Sequence, residues 1–158
     1  MRILVDTNVL ARLAHKSHPH TAAANAAIHQ LWADGHELRI VPQVLYEYWS
    51  VATRPIEQNG LGFATDVVDA DIQQFSRVFS VLRDERGILE PWRTIAAAHN
   101  VQGKQAHDVR LVAAMQRHAL THLLTFNVAD FQRYAGVELL DPQSVATGGL
   151  GGASGPDE

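Results

Sequence analysis

Arg2-Ile3-Leu4-Val5-Asp6-Thr7-Asn8-Val9-Leu10 opens the chain and decides its fold. Ile3, Leu4 and Val5 form a short unbroken apolar run, as expected of a strand buried on both faces of a parallel sheet. The run stops at an acid and two small polar residues, and a helical apolar pattern resumes at Val9 and Leu10. A strand ending in Asp-Thr-Asn places that polar cluster at the carboxyl edge of a sheet, where open α/β folds bind ligands. Asp6 or Asn8 could equally cap the helix that follows. The choice turns on whether other acids gather at the same edge.

The chain has 158 residues, enough for one domain with a substantial core, and 46% of them are apolar. Cysteine is absent, which excludes disulfides, thiolate metal sites and cysteine nucleophiles. No apolar stretch approaches the roughly 18 residues of a membrane span, and no signal-peptide pattern opens the sequence. A cytoplasmic protein with no membrane role is the expectation. The net charge of −4 argues against binding nucleic acid by a wholly basic surface, but it allows a basic rim around an acidic pocket.

Along the chain, Val9–Ala14 reads as a short helix, broken by Ser17-His18-Pro19-His20. Thr21 opens an alanine-rich helix through Ala33, with Ala23, Ala26, Ala27 and Leu31 on one face, and Gly35 stops it. Leu38–Val41 is the second strand candidate, and Pro42 begins a helix reaching about Thr53. Val44, Leu45, Tyr48, Val51 and Ala52 form its apolar stripe, and Glu47 projects from the same face. Arg54-Pro55 ends this helix and residues 56–64 form a loop. Asp66 starts a long amphipathic helix carried by Val68, Ile72, Phe75, Phe79 and Leu82. Residues 87–90 read as extended, Pro91 begins another helix, and 100–105 is a polar loop.

His107-Asp108 opens the next helix, whose stripe is Leu111, Val112, Met115 and Ala119, with Asp108 one turn back on the same side. Thr121–Thr125 is a short strand leading into Phe126-Asn127-Val128-Ala129-Asp130-Phe131, which repeats the opening grammar of strand, Thr, Asn and acid. Val137–Leu140 is the last strand candidate. A single domain over 1–142 followed by a flexible Gly-rich tail over 143–158 is the expected organisation. Strands alternating with helices indicate a three-layer α/β/α domain with a mainly parallel, twisted sheet.

Asp6, Glu47, Asp108 and Asp130 each sit just past a strand or on a buried helix face, with Asn8 and Asn127 beside two of them. Carboxylates held within ~5 Å repel by several kcal/mol at an effective dielectric near 20. Protonation or a cation must relieve that. Mg²⁺ or Mn²⁺ does so with oxygen ligands alone, which suits a chain without cysteine.

With those residues in place the chain resembles the PIN-domain proteins, and most closely the VapC-type toxins of bacterial toxin–antitoxin pairs. The matching segments are Leu4–Asn8, Leu45-Tyr46-Glu47 with Val51–Pro55, Asp108 with Leu111–Ala114, and Leu124–Phe131. The resemblance runs from about residue 2 to residue 142. It implies a metal-dependent endoribonuclease that leaves a 5′-phosphate and a 3′-hydroxyl, with Asp6, Glu47 and Asp108 as core acids. Many members carry an acid where this chain has Asn127. The candidates for that fourth place are Asp130, supplying the charge, and Asn127, ligating through its carbonyl or through water.

By the same resemblance Thr7, Asn8 and Thr125 orient ligands or waters, and the partners are RNA, a small antitoxin and a second copy of the chain. Arg54, Lys104, Arg110, Arg117 and Arg133 flank the acids and offer phosphate contacts. Among the nine histidines only His107, next to Asp108, is placed for catalysis. Phe63, Phe75 and Phe79 either close the core or anchor the antitoxin. A processing nuclease without a toxin role, or a PIN-like binding module without catalysis, would share this sequence pattern. A phosphoacceptor receiver domain would not, because it needs a lysine after its last strands and none follows Lys104.

Overall fold

A computed structural model describes residues 1–148. The expected opening strand, β1 (Arg2–Val5), lies at the centre of a five-stranded sheet, with Ile3, Leu4 and Val5 fully buried. β2 (Glu37–Ile40) and β3 (Ser80–Val81) lie to one side, and β4 (His122–Leu124) and β5 (Glu138–Leu140) to the other. All four pairings are parallel; Leu4 stands opposite Arg39 of β2 and Leu123 of β4. Helices cover the sheet, giving the three-layer α/β/α architecture read from the sequence. The strand order 3-2-1-4-5 makes the chain reverse its direction of growth between β1 and β4. The crevice outside the carboxyl ends of those two strands is the place such a sheet offers a ligand.

Of the chain's first three helices, the first and the third line that crevice. α1 (Thr7–Ala14) leaves β1 directly, two residues earlier than its apolar pattern suggested, because Asp6 caps it by accepting the Thr7 N–H at 2.7 Å. α2 (Thr21–Ala33) ends as expected at Gly35, whose φ of 78° is open to glycine without strain. Its buried face is Ala24, Ala27, Ile28 and Leu31, so Ala26 points outward. α3 (Pro42–Thr53) buries Val44, Leu45, Tyr48 and Ala52, the stripe anticipated for it.

Four expectations need correction. The long helix does not reach Leu82: α4 (Thr65–Val78) ends where Phe79 turns extended, at φ −106° and ψ 142°, and the chain then forms edge strand β3. Phe79 and Leu82 fit a helical period, but Phe79 is buried near Trp32 and the Leu82 N–H donates to the Ile40 carbonyl, prolonging the ladder. Residues 87–90 are not extended: a 3-10 turn at Arg86–Ile88 runs into α5 (Leu89–Ala98). α6 begins at Gln105, not His107, and spans Gln105–Arg117.

The fourth correction concerns the end of the domain. After the short helix α7 (Val128–Phe131) and strand β5, the chain forms α8 (Pro142–Ala146), which packs on α2 and buries Val145. The folded unit therefore passes the boundary at 142. The remainder of the expected tail, 149–158, lies outside the described residues. No helix of the described residues is long and apolar enough to cross a membrane.

Phe75 and Phe79 are core residues. Phe75 meets Tyr48 edge-on at 5.1 Å between ring centroids, and Phe63 is partly buried against the same core. Phe75 and Phe79, buried there, close the core and are not free to anchor a partner. The large apolar side chains left exposed are others, among them Tyr46, Trp49 and Ile56.

Candidate active site

The switch-point crevice is a cleft of about 600 Å³ lined by Asp6, Asn8, Glu47, Lys104, His107 and Asp108 among others. Asp6 forms its buried floor. Besides capping α1 through Oδ1, its Oδ2 accepts from the Thr125 hydroxyl at 2.8 Å and from the Asn8 amide at 3.1 Å. Thr125 follows β4 directly, and its hydroxyl also accepts from the Asn8 side chain and the Asn127 N–H, each at 3.0 Å. The Asn8 carbonyl accepts the Phe126 N–H at 3.0 Å. Asn8 and Thr125 thus tie the ends of β1 and β4 together across the sheet. Asp6 therefore caps α1, as one reading of the sequence had it, and the same carboxylate stands in the cleft.

Glu47 is held by both oxygens. The Thr7 hydroxyl donates to Oε2 at 2.9 Å and the Gln43 amide to Oε1 at 2.8 Å. Gln43 also donates to the His107 carbonyl at 2.8 Å, and its own oxygen accepts from Arg110 at 2.9 Å. Asp108, in the first turn of α6, accepts no hydrogen bond among the described residues, so it is not a cap. Asp130 is exposed in the first turn of α7.

No Lys or Arg forms an ion pair with any of the four acids among the described residues. Burial therefore pushes the Asp6 carboxyl up to about 6; the Thr125 and Thr7 hydrogen bonds pull it back, and the charges of Glu47 and Asp108 push it further. The Asp108 carboxyl also stands at about 6, raised by burial and then by Asp130 and Glu47, with His107 and Arg133 opposing. Glu47 and Asp108 thus act on Asp6, and Asp130 and Glu47 act on Asp108; His107 is the one histidine among the lining residues, and the acids offer oxygen donors. That donor set fits a hard divalent cation. Among the described residues no three acids or histidines stand close enough to cage an ion unaided. Water would complete the shell, as Mg²⁺ commonly requires.

Asp6, Glu47, Asp108, Thr7, Asn8 and Asn127 all line the cleft, and Thr125 braces it from beneath. Asp130 is outside the lining but is the strongest charge acting on Asp108. The cations divide. Arg54 and Lys104 line the cleft, whereas Arg110 is held by Asp84 at 2.6 Å and by Gln43. Arg133 donates to Gln105 at 2.7 Å and lies over the Tyr134 ring, and Arg117 pairs with Glu85. The phosphate contacts expected of Arg110, Arg117 and Arg133 are therefore not supported by their placement: each is bonded to its own chain.

Gln43, which supports the cleft, and Arg12, which lines it, escaped the sequence reading. Gln43 is four residues before Glu47 on one helix face, a spacing that lets an amide hold a carboxylate. It is buried and joins α3, the start of α6 and Arg110. Gln43→Leu keeps the volume but frees one Glu47 oxygen, and the expected loss of activity is about 10- to 100-fold. A steady-state assay checks it; unchanged activity would show that Glu47 needs no such support.

Residues 3–137 match the PIN-domain family. The chain is 28% identical over 142 residues to a VapC ribonuclease of Mycobacterium bovis and to ribonuclease VapC13 of Mycobacterium tuberculosis, alignments covering 87% of this chain and 98% of each relative. Its fold is similar to that in the crystal structure of VapBC2 from Rickettsia felis bound to a promoter DNA fragment. The TM-score is 0.67 at 14% identity, covering 89% of this chain and 98% of that one. A strand order that opens between β1 and β4, a buried aspartate at that opening and a match over most of its length lead to one conclusion: this chain belongs to the PIN-domain family.

Proposed function

We propose that the protein is an endoribonuclease, the toxin of a toxin–antitoxin pair, hydrolysing RNA phosphodiester bonds with Mg²⁺ or Mn²⁺. The observation that carries the reading is the gathering of Asp6, Glu47 and Asp108 in one cleft, with Asp130 acting on Asp108 from beside it and no ion pair to any of the four among the described residues. Asp6, Glu47 and Asp108 would hold the ion, with Asp130 as the nearby fourth charge. A divalent ion there supplies Lewis acidity toward a phosphate oxygen and an attacking water.

The chain's own residues do the rest. Asp6 is fixed by three donors, so its free lone pairs have one direction. Glu47, oriented by Thr7 and Gln43, is either a ligand or the base that removes a proton from water. Water's oxygen adds to phosphorus as its proton passes to the base, the bond to the 3′ oxygen breaks, and that oxygen takes a proton from solvent to leave as a hydroxyl while the phosphate stays on the 5′ side.

The VapC ribonucleases that share 28% of its residues favour RNA as substrate. Solved neighbours from Rickettsia felis and from nontypeable Haemophilus influenzae are VapBC structures, which favours a small antitoxin partner. A homodimer and a cytoplasmic location belong to the same reading. Purified protein should cut RNA with Mn²⁺, leave 5′-phosphate ends and stop in EDTA. Its expression should slow growth unless the adjacent small gene is co-expressed. Undiminished cleavage in EDTA would overturn the mechanism, and cleavage without growth arrest would reassign the protein as a processing nuclease.

A further inference from the structure

We infer that Arg12 is a phosphate-contacting residue of the cleft, holding the RNA backbone over the acidic floor together with Arg54 and Lys104. This rests on the nuclease reading and adds to it a residue that neither the motif nor its neighbours marked.

Position is the first observation. Arg12 stands in the last turn of α1, six residues past Asp6, and lines the same cleft as Asp6 and Asp108. Lack of a partner is the second. Arg2, Arg39, Arg93, Arg110 and Arg117 each pair with a carboxylate. The Arg12 side chain makes no ion pair or hydrogen bond among the described residues, although it is half-buried. Burial lowers its pKa, with no acid to offset the cost. Its titratable neighbour is His18, held below the ordinary imidazole value by burial first and then by the Arg12 charge, so it offers Arg12 no negative partner. A guanidinium held in this way faces the cleft for something outside the chain.

Charge balance says what that is. Four carboxylates carry four negative charges, and one divalent ion leaves two uncompensated. Arg54 and Lys104 neutralise those two. Arg12 supplies the surplus positive charge that a phosphodiester needs in order to enter an acidic cleft. The three cations come from separate elements: α1, the end of α3 and the start of α6. Arg54 is also fixed in place. Its carbonyl accepts the Gly62 N–H at 2.9 Å, and a Cβ on Gly60 would lie 1.9 Å from that oxygen, so only glycine lets the loop close on it. An ordinary role at the helix end, offsetting the dipole of α1, would account for a positive charge there. It would not require the side chain to line the cleft.

The test uses the full chain carrying Asp6→Asn, so that RNA is bound and not cut, and a short fluorescently labelled single-stranded RNA read by anisotropy. Adding Arg12→Gln should weaken binding about tenfold and lower the slope of log affinity against log salt by about 0.7, one phosphate contact on a single strand. Arg12→Lys should restore most of the slope, and Arg93→Gln, removing an exposed paired cation, should change neither quantity. Affinity and slope equal to the parent's would overturn the assignment, as would a fall in melting temperature with the slope unmoved, which marks a structural residue. If the Asp6→Asn parent itself fails to bind RNA, the nuclease reading fails as well. If it binds and Arg12→Gln changes nothing, only Arg12 is wrong.

Discussion

Asp6→Asn is expected to stop RNA cleavage while making the metal-free protein more stable at pH 7.5. Loss of the charge at the floor of the cleft removes a carboxylate of the proposed ion site, and a fall on the order of 10³-fold in rate is expected. The gain in stability follows from linkage. The Asp6 carboxyl stands at about 6 in the folded chain against an ordinary value of 3.8. An acid whose folded pKa is raised is harder to ionise in the fold than in the unfolded chain, so its charge opposes folding. That penalty is full above pH 6, fades as the folded carboxyl takes up its proton between pH 6 and pH 4, and is absent below. Two units at 1.36 kcal/mol each put it at about 3 kcal/mol.

Asparagine avoids the charge but not every cost. Its oxygen can still accept the Thr7 N–H, but its NH₂ would face both the Thr125 hydroxyl and the Asn8 amide, and losing those two hydrogen bonds costs about 2 kcal/mol. The balance is a net gain of about 1 kcal/mol at pH 7.5, or roughly 2–4 °C in melting temperature for a chain of this size, turning into a net loss toward pH 4. Thermal melts of both proteins in EDTA across that range check it. A variant less stable than the parent at pH 7.5 would show that Asp6 is there to hold the fold.

The same balance explains what could be read from the sequence and what could not. β1 and the Asp6-Thr7-Asn8 turn were legible because a buried parallel strand must be continuously apolar and must end in polar groups where the sheet opens. Glu47 was legible because a lone acid on an apolar helix stripe has no other excuse. Asp108 followed from its place one turn before the Leu111–Met115 stripe. Convergence of the acids was not legible, since it depends on β1 and β4 being neighbours, a pairing made across more than a hundred residues of chain. Gln43 and Arg12 were missed for a related reason. Glutamine and arginine on a helix are ordinary until tertiary structure shows what they face. Strand β3 was missed because two exposed residues carry no period, and Phe79 and Leu82 suit a helix as well as a strand. The phosphate contacts expected of Arg110 and Arg133 went the other way: proximity in sequence to an acid said nothing of Asp84 or Gln105, which hold them.

Mn²⁺ should stabilise the protein strongly at pH 7.5 and hardly at all at pH 5. At a hundred times its dissociation constant, an ion that binds only the folded chain adds about 2.7 kcal/mol, which raises the melting temperature by about 5–10 °C. The ion also relieves the repulsion that raises Asp6 and Asp108, so binding must release protons that those two carboxyls hold near pH 6. Below that value both are largely protonated and the ion has to displace two protons, so the shift collapses within one or two pH units. Substitution then separates the two candidates for the fourth place. Asp130→Asn removes the charge that acts most strongly on Asp108, and should weaken Mn²⁺ binding while letting Asp108 ionise at lower pH. Asn127→Ala removes only an amide at the edge of the cleft, whose backbone N–H on Thr125 the substitution leaves in place, and should cost far less. Isothermal titration of the two variants ranks them. The opposite order would make the Asn127 carbonyl the ligand, and a Mn²⁺ shift as large at pH 5 as at pH 7.5 would place the ion on groups other than these acids.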